Sequence, residues 1–109
     1  MITETDVAWA AGFFEGEGCI KATKKGRFDA ISLNNTDKDV IERFVDIVNY
    51  GNVNGPYKSG GRKHKPTYKP HWAWVVGKKS EVKRILEMFL PYLGKRRRQR
   101  AEQALYHLK

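Results

Sequence analysis

The chain has 109 residues, which fits a single domain spanning 1–109 and leaves no room for two. Hydrophobic residues make up 40% of it and aromatics 12%, enough for a true core, although a domain this small leaves much surface uncovered and pairing with a second copy is plausible on size alone. Lys and Arg number 21 against 12 Asp and Glu, a formal net charge of +9 that attracts polyanions, chiefly nucleic acid and less often anionic membrane. The alternative is a basic surface kept for solubility.

In chain order, the first predicted element is a helix capped by Thr3 or Thr5, running through Val7, Trp9, Ala10, Phe13 and Phe14 and ended by Gly16 and Gly18. Ile20 to Lys25 then alternates as a strand, with Ile20 and Ala22 on one face and Lys21, Thr23 and Lys25 on the other. Gly26 turns the chain into a second strand, about Phe28 to Asn34, with Ile31 and Leu33 inward and Ser32 and Asn34 outward. Thr36 with Asp39 marks a helix start, and Val40, Ile41, Phe44, Val45 and Val48 form its apolar stripe before Asn49 and Gly51 close it. Asn52 to Tyr57 is a third strand. A basic, glycine-containing loop follows, and Tyr68 to Val76 is a fourth strand, with Trp72, Trp74 and Val76 inward and Lys69 and His71 outward. Ser80 starts a third helix with Val82, Ile85, Leu86, Phe89 and Leu90 on its apolar side, ended by Pro91 and Gly94. A last helix covers about Arg96 to Leu108.

The order is therefore αββαββα, an α+β fold in which four antiparallel, saddle-like strands carry helices on one face. The other face is open and holds the outward positions. Cys19 is the only cysteine, so no internal disulfide or cysteine-rich zinc site is possible, and a reducing intracellular compartment fits. His64 and His71 lack the neighbouring ligands that zinc needs. No apolar run approaches the about 18 residues of a membrane span. The N-terminus has no basic region followed by an apolar stretch, so neither a membrane partner nor a secretory signal is expected.

Residues 10–18 read AAGFFEGEG, and WAAGFFEGEGCI in the wider frame. This nine-residue segment strongly resembles the motif of the LAGLIDADG homing endonucleases. The resemblance extends in element order over essentially the whole chain, although only the motif is highly specific. The physics of the segment agrees with it. Ala8, Gly12 and Gly16 recur every fourth residue and share one helix face, where another helix backbone can approach closely. That helix is either one of the chain's own or the same helix in a second copy.

One motif copy implies the single-motif type, a half-enzyme that pairs motif helix against motif helix about a two-fold axis. The interface would use Ala8, Gly12, Phe13, Glu15 and Gly16, and the target would be near-palindromic. Glu17 matches the metal-binding acid at the eighth motif position, with Glu where many members have Asp, and the Gly18 carbonyl is a candidate further ligand. Two Glu17 carboxylates brought together call for a hard cation such as Mg²⁺, with Mn²⁺ as a substitute and Ca²⁺ as a non-catalytic one. Glu15, at the sixth position, is read as structural, bonding a helix end across the dimer. By their place in the family pattern, Asn35 orients the attacking water and Lys95 or Arg96 supplies the active-site cation. For these residues, phosphate binding without catalytic duty is the alternative.

The resemblance thus implies a metal-dependent, intron-homing double-strand DNA endonuclease, acting inside the cell with the DNA. Outward residues of such a sheet can follow the major groove, about 12 Å wide. Candidates for base contacts are Lys21, Thr23, Lys25 and Arg27 on the first hairpin and Ser32 and Asn34 on the second strand. Asn54, Lys58, Lys69 and His71 come from the other half. Arg62 and Lys63, with Lys65, are loop candidates for phosphates. Competing expectations are an RNA maturase that binds intron RNA, a DNA-binding regulator that has lost cleavage, and a ribosomal-type RNA-binding protein. The last leaves AAGFFEGEG unexplained, and an intact Glu17 favours the nuclease.

Overall fold

A computed structural model describes residues 1–22, 28–57 and 69–108. Helix α1 spans Glu4–Glu17 and begins in a capping box. The Asp6 amide donates to Thr3 Oγ1 at 3.1 Å, and the Thr3 amide donates to Asp6 Oδ2 at 2.9 Å. The Thr3 amide first, and the Thr3 side chain second, hold the Asp6 carboxyl below its usual range, so the box contributes stability at neutral pH that fades as the medium is acidified through that carboxyl's titration.

Strand β1, Gly18–Ala22, follows α1 with no loop between them. The next elements are β2, Phe28–Asn35, and α2, Lys38–Val48. Strands β3, Val53–Tyr57, and β4, His71–Val76, precede α3, Lys79–Phe89. A 3₁₀ turn, Leu90–Tyr92, absorbs Pro91 before α4, Lys95–His107. The expected αββαββα order holds.

Local boundaries differ where backbone chemistry overrides the side-chain pattern. Strand β4 starts at His71, directly after Pro70, which has no amide hydrogen to give a ladder, so Lys69 precedes the strand. Thr36 does not cap α2. Asp37 occupies that position without a side-chain cap bond, and its amide instead donates to Asn35 Oδ1 at 2.8 Å. Helix α3 begins at Lys79, with Lys78 rather than Ser80 at its cap. In α2, Ile47 is buried, whereas Val40 and Val45 are only half-buried.

The four strands form one antiparallel sheet in the order β1-β2-β4-β3, so the two ββα units join through β2 and β4. Directly opposed residues share a face. Ile31 lies opposite Val76, and Leu33 opposite Trp74, all four buried under the helices. Ser32 opposes Val75 and Asn34 opposes Ala73 on the other face. The core is a run of rings reaching from α1 to the sheet. Phe14 packs on Phe89 at 5.6 Å, Phe89 on Phe44 at 5.9 Å, and Phe44 edge-on to Trp74 at 4.9 Å. The Trp74 indole nitrogen donates to the Tyr50 carbonyl at 2.7 Å. Gly51, at φ +77°, allows the turn to pass that close, because a Cβ there would meet the indole nitrogen at 2.6 Å. Among the described residues, no helix is long and apolar enough to cross a membrane.

Replacing Trp74 by Phe keeps most of the ring volume but strands the Tyr50 carbonyl. The expected loss is about 1–3 kcal/mol in urea unfolding. Val75→Ala, on the open face of the same strand, should change stability by only about 0.5 kcal/mol or less.

Candidate active site and nucleic-acid interface

The motif segment ends where α1 passes into β1. Glu17 is the last residue of α1 and is exposed, while Gly18 is buried and its amide donates to the Phe14 carbonyl. A Cβ on Gly18 would come within 2.3 Å of the Phe14 ring, so the helix can turn into the strand this tightly only with glycine there. Glu15 and Glu17 both lie at the C-terminal end of α1, where the helix dipole disfavours negative charge, and that last turn has no basic residue.

Helix α4 is the mirror case. Its first turn is Lys95, Arg96, Arg97 and Arg98, with no acid, at the end that disfavours positive charge. The two ends meet. Glu15 Oε2 accepts the amide of Gly94, the N-cap of α4, at 3.1 Å. The half-buried Arg97 donates from Nη1 to the Gly18 carbonyl at 2.7 Å and from Nη2 to the Glu15 carbonyl at 3.0 Å. Its guanidinium also stands over the Phe14 ring, 5.7 Å from the centroid. Glu15 therefore bonds a helix end of its own chain.

Lys95 and Arg96 are exposed beside this junction, and Arg96 lines a groove of about 600 Å³ with Glu15, Arg97, Gln99 and Arg100. The strand register brings Asn35 towards the same edge. Gly18 pairs with Leu33, so the end of α1 and the Asn34–Asn35 end of β2 lie together. Asn35 is half-buried, and its Oδ1 is occupied by the Asp37 amide, which leaves the Nδ2 group as its donor.

The donors available to a metal are hard oxygens. The exposed Glu17 carboxylate fits Mg²⁺ or Ca²⁺ well. The Gly18 carbonyl fits poorly, since it already accepts a short bond from a cation, the Arg97 guanidinium. Among the described residues there is no group of three or more His, Cys, Asp or Glu that could hold a metal. One chain thus brings two carboxylates to this corner, Glu15 bonded to the Gly94 amide and Glu17 exposed.

On the open face of the sheet, Lys21, Asn34 and Asn54 are exposed, and Lys69 is exposed just before β4. His71 is half-buried, with its ring 5.8 Å from that of Tyr57. Ser32 points to this face but is only 6% exposed, because it lies on a central strand between Cys19 and Val75. It therefore offers little surface to a base. Cys19 and Val75 are exposed beside it and escaped the sequence reading, since neither residue type signals polar contact. Thr23, Lys25, Arg27, Lys58, Arg62 and Lys63, with His64 and Lys65, lie outside the described residues.

The small-residue stripe faces outward. Gly12 and Gly16 are exposed, and no described atom would come within 4 Å of a Cβ at either. Packing of this stripe against a helix of the same chain, the alternative left open by the sequence, is not what the fold does. Ala8 is half-buried. Phe13 is too, stacked on Trp9 at 5.4 Å and edge-on to Phe44 at 5.9 Å, while Arg43 covers the outer face of Trp9 at 3.9 Å.

The family profile described as the LAGLIDADG-like domain matches residues 4–89. The chain belongs to this family. Its fold is that of the LAGLIDADG homing endonucleases. It superimposes on the homing endonuclease I-CvuI, solved in complex with the I-CreI target and 2 mM Mg with the DNA not cleaved, at TM-score 0.74 and 20% identity. That match covers 96% of this chain and 66% of I-CvuI. The group I intron-encoded I-CeuI, complexed with DNA, gives TM-score 0.70 at 14% identity over 99% of this chain and 56% of its own. I-TnaI gives 0.67 at 16% identity, over 99% of this chain and 73% of its own. The chain thus spans about two thirds or less of I-CvuI and I-CeuI. No curated protein matches it.

A methyl group at position 18 should be poorly tolerated. Gly18→Ala is expected to lower unfolding stability by about 1–3 kcal/mol, because the Phe14 ring and the helix end would both have to shift. Denaturant titration followed by tryptophan fluorescence checks it.

Proposed function

We propose that this LAGLIDADG-family chain is a half-enzyme: two copies pair α1 against α1 and hydrolyse both strands of a long, near-palindromic duplex with the help of a divalent cation. The observation that carries the reading is the outward stripe of Gly12 and Gly16 leading directly to an exposed Glu17. A backbone-to-backbone helix contact along that stripe would bring two such carboxylates near one axis, so that each exposed Glu17 gains a second one beside it. The isologous contact would give two equivalent sites and hence a palindromic target. I-CvuI and I-CeuI, which share the fold, were solved on DNA, which favours duplex DNA over intron RNA as partner. I-CvuI was studied with 2 mM Mg and with 2 mM Ca, in keeping with oxygen-ligated divalent ions.

Glu17 is the residue that would hold Mg²⁺, or Mn²⁺ in its place, and Ca²⁺ without turnover. Bound there, such a cation would supply Lewis-acid polarisation of a scissile phosphate and stabilisation of its leaving oxygen. The Asn35 Nδ2 group orients water at the phosphate, and Arg96 or Lys95 steadies the negative charge that builds on phosphorus. Lys21, Asn34, Asn54 and His71 face the bases across the open sheet, with Lys and His as donors and Asn suited to adenine edges. The +9 charge draws the polyanion in, and each phosphate contact adds about 0.9 to the slope of binding against salt.

Cleavage of a randomised duplex library with Mg²⁺ or EDTA, by wild type and Glu17→Gln, tests the reading. The expected outcome is a near-palindromic cut site seen only with wild type and Mg²⁺. Binding to duplex without any cut would overturn the enzyme in favour of a regulator, and preference for structured RNA would favour the maturase. Gly12→Leu, which meets open space within one chain, should leave the monomer folded while abolishing the dimer in sedimentation velocity and cleavage with it.

A further inference from the structure

We propose that Arg97 is a positioning residue: its forked guanidinium fixes the Glu17 carboxylate relative to Lys95 and Arg96, and so sets the geometry of the cleavage site. Glu17 lies between the two backbone carbonyls that Arg97 binds, those of Glu15 and Gly18. Lys95 and Arg96 lie between the two α4 positions in the same junction, Gly94 and Arg97. The acid and the candidate cations are therefore each bracketed by the same three hydrogen bonds. Those bonds cross the 79 to 82 residues of sequence that separate the two ends.

Only an arginine meets this geometry. A planar fork can donate to two carbonyls at once, whereas a lysine ammonium is a flexible point charge. The Glu15 carbonyl belongs to the last turn of α1, where backbone acceptors have no partner within the helix, and the Gly18 carbonyl to the residue that caps it and opens β1. Arg97 thus does three things in one contact. It satisfies the helix end, supplies the positive charge that the end lacks, and holds α4 at a fixed distance. It also engages the Gly18 carbonyl, so that oxygen serves the fold rather than the metal.

The inference rests on Glu17 as the metal-holding acid, and its test separates the two. Wild type, Glu17→Gln, Arg97→Gln and Arg97→Lys are compared on the duplex that wild type selects from the randomised library. Duplex affinity is measured in Ca²⁺ and single-turnover cleavage across a Mg²⁺ series. Hydrogen exchange at the Gly18 amide gives a readout independent of activity. Misplacing a reacting group by an ångström costs on the order of 100-fold in rate, and a loss of that order is expected for Arg97→Gln. Its Mg²⁺ midpoint should rise, Gly18 exchange should quicken and the melting temperature should fall because two carbonyls lose their donor, while the protein stays folded at the assay temperature and duplex affinity holds. Arg97→Lys, keeping the charge and one donor, should recover part of the rate.

Arg97→Gln that cleaves at the wild-type rate with an unchanged Mg²⁺ midpoint overturns the proposal, provided Glu17→Gln is inert. A loss that lies wholly in duplex affinity also overturns it, and makes Arg97 a phosphate contact. If Glu17→Gln cleaves like wild type, or wild type does not cleave, the reading of Glu17 falls and the proposal falls with it.

Discussion

The junction of α1 with α4 organises the functional corner. At this junction each helix end carries charges of the wrong sign: α1 ends in Glu15 and Glu17 with no base, and α4 begins with Lys95 to Arg98 and no acid. Alone, each arrangement opposes its helix dipole, by about 0.3–1 kcal/mol for each exposed charge. Brought together, each helix supplies what the other end lacks. Glu15 takes the N-terminal amide of α4, and Arg97 takes the C-terminal carbonyls of α1. The misfit of each helix becomes the fit of the pair, and the residues left over, Glu17 on one side and Lys95 and Arg96 on the other, stay exposed and available for chemistry.

The rest of the fold keeps that corner in place. The rings of Phe14, Phe89, Phe44 and Trp74 link α1, α3 and α2 to the central strand β4. Arg97 stands over Phe14, and the same ring leaves room only for glycine at position 18. The start of β1 is thus pinned from the core by Phe14 and from the surface by Arg97. Gly18 pairs with Leu33, so the same corner leads directly into the sheet whose order is β1-β2-β4-β3.

Much of this was legible in the residues. The αββαββα order followed from alternating and helical periodicities, because burial on one face of an element leaves a repeat of fixed length in the sequence. Trp74, Ile31 and Leu33 were recognisable as core, and Lys21, Asn34 and His71 as belonging to the opposite face, on that ground alone. Helix starts were less legible. Thr36 and Ser80 have the right chemistry for caps, yet the structure uses Asp37 and Lys78, since chain entry rather than side-chain preference decided the first turn. Ser32 faces outward as its position in the alternation requires, but its exposure depends on neighbours on two other strands, which no local pattern reports.

By itself, the sequence determined what depends on residues near one another along the chain. It gave the element order, the glycine and alanine stripe at every fourth position of α1, the placement of Glu17 between two glycines, and the basic excess. Those features, with the AAGFFEGEG segment, were enough to indicate the family. The tertiary structure alone decided what depends on residues 79 to 82 positions apart. It turned Glu15 toward its own α4, singled out Arg97 from a run of four bases, engaged the Gly18 carbonyl, and left the faces of Gly12 and Gly16 uncovered. The physical reason is range. Periodicity and helix propensity act within a few residues, while a dipole, a fork of donors and a carbonyl find each other only after the chain has closed on itself.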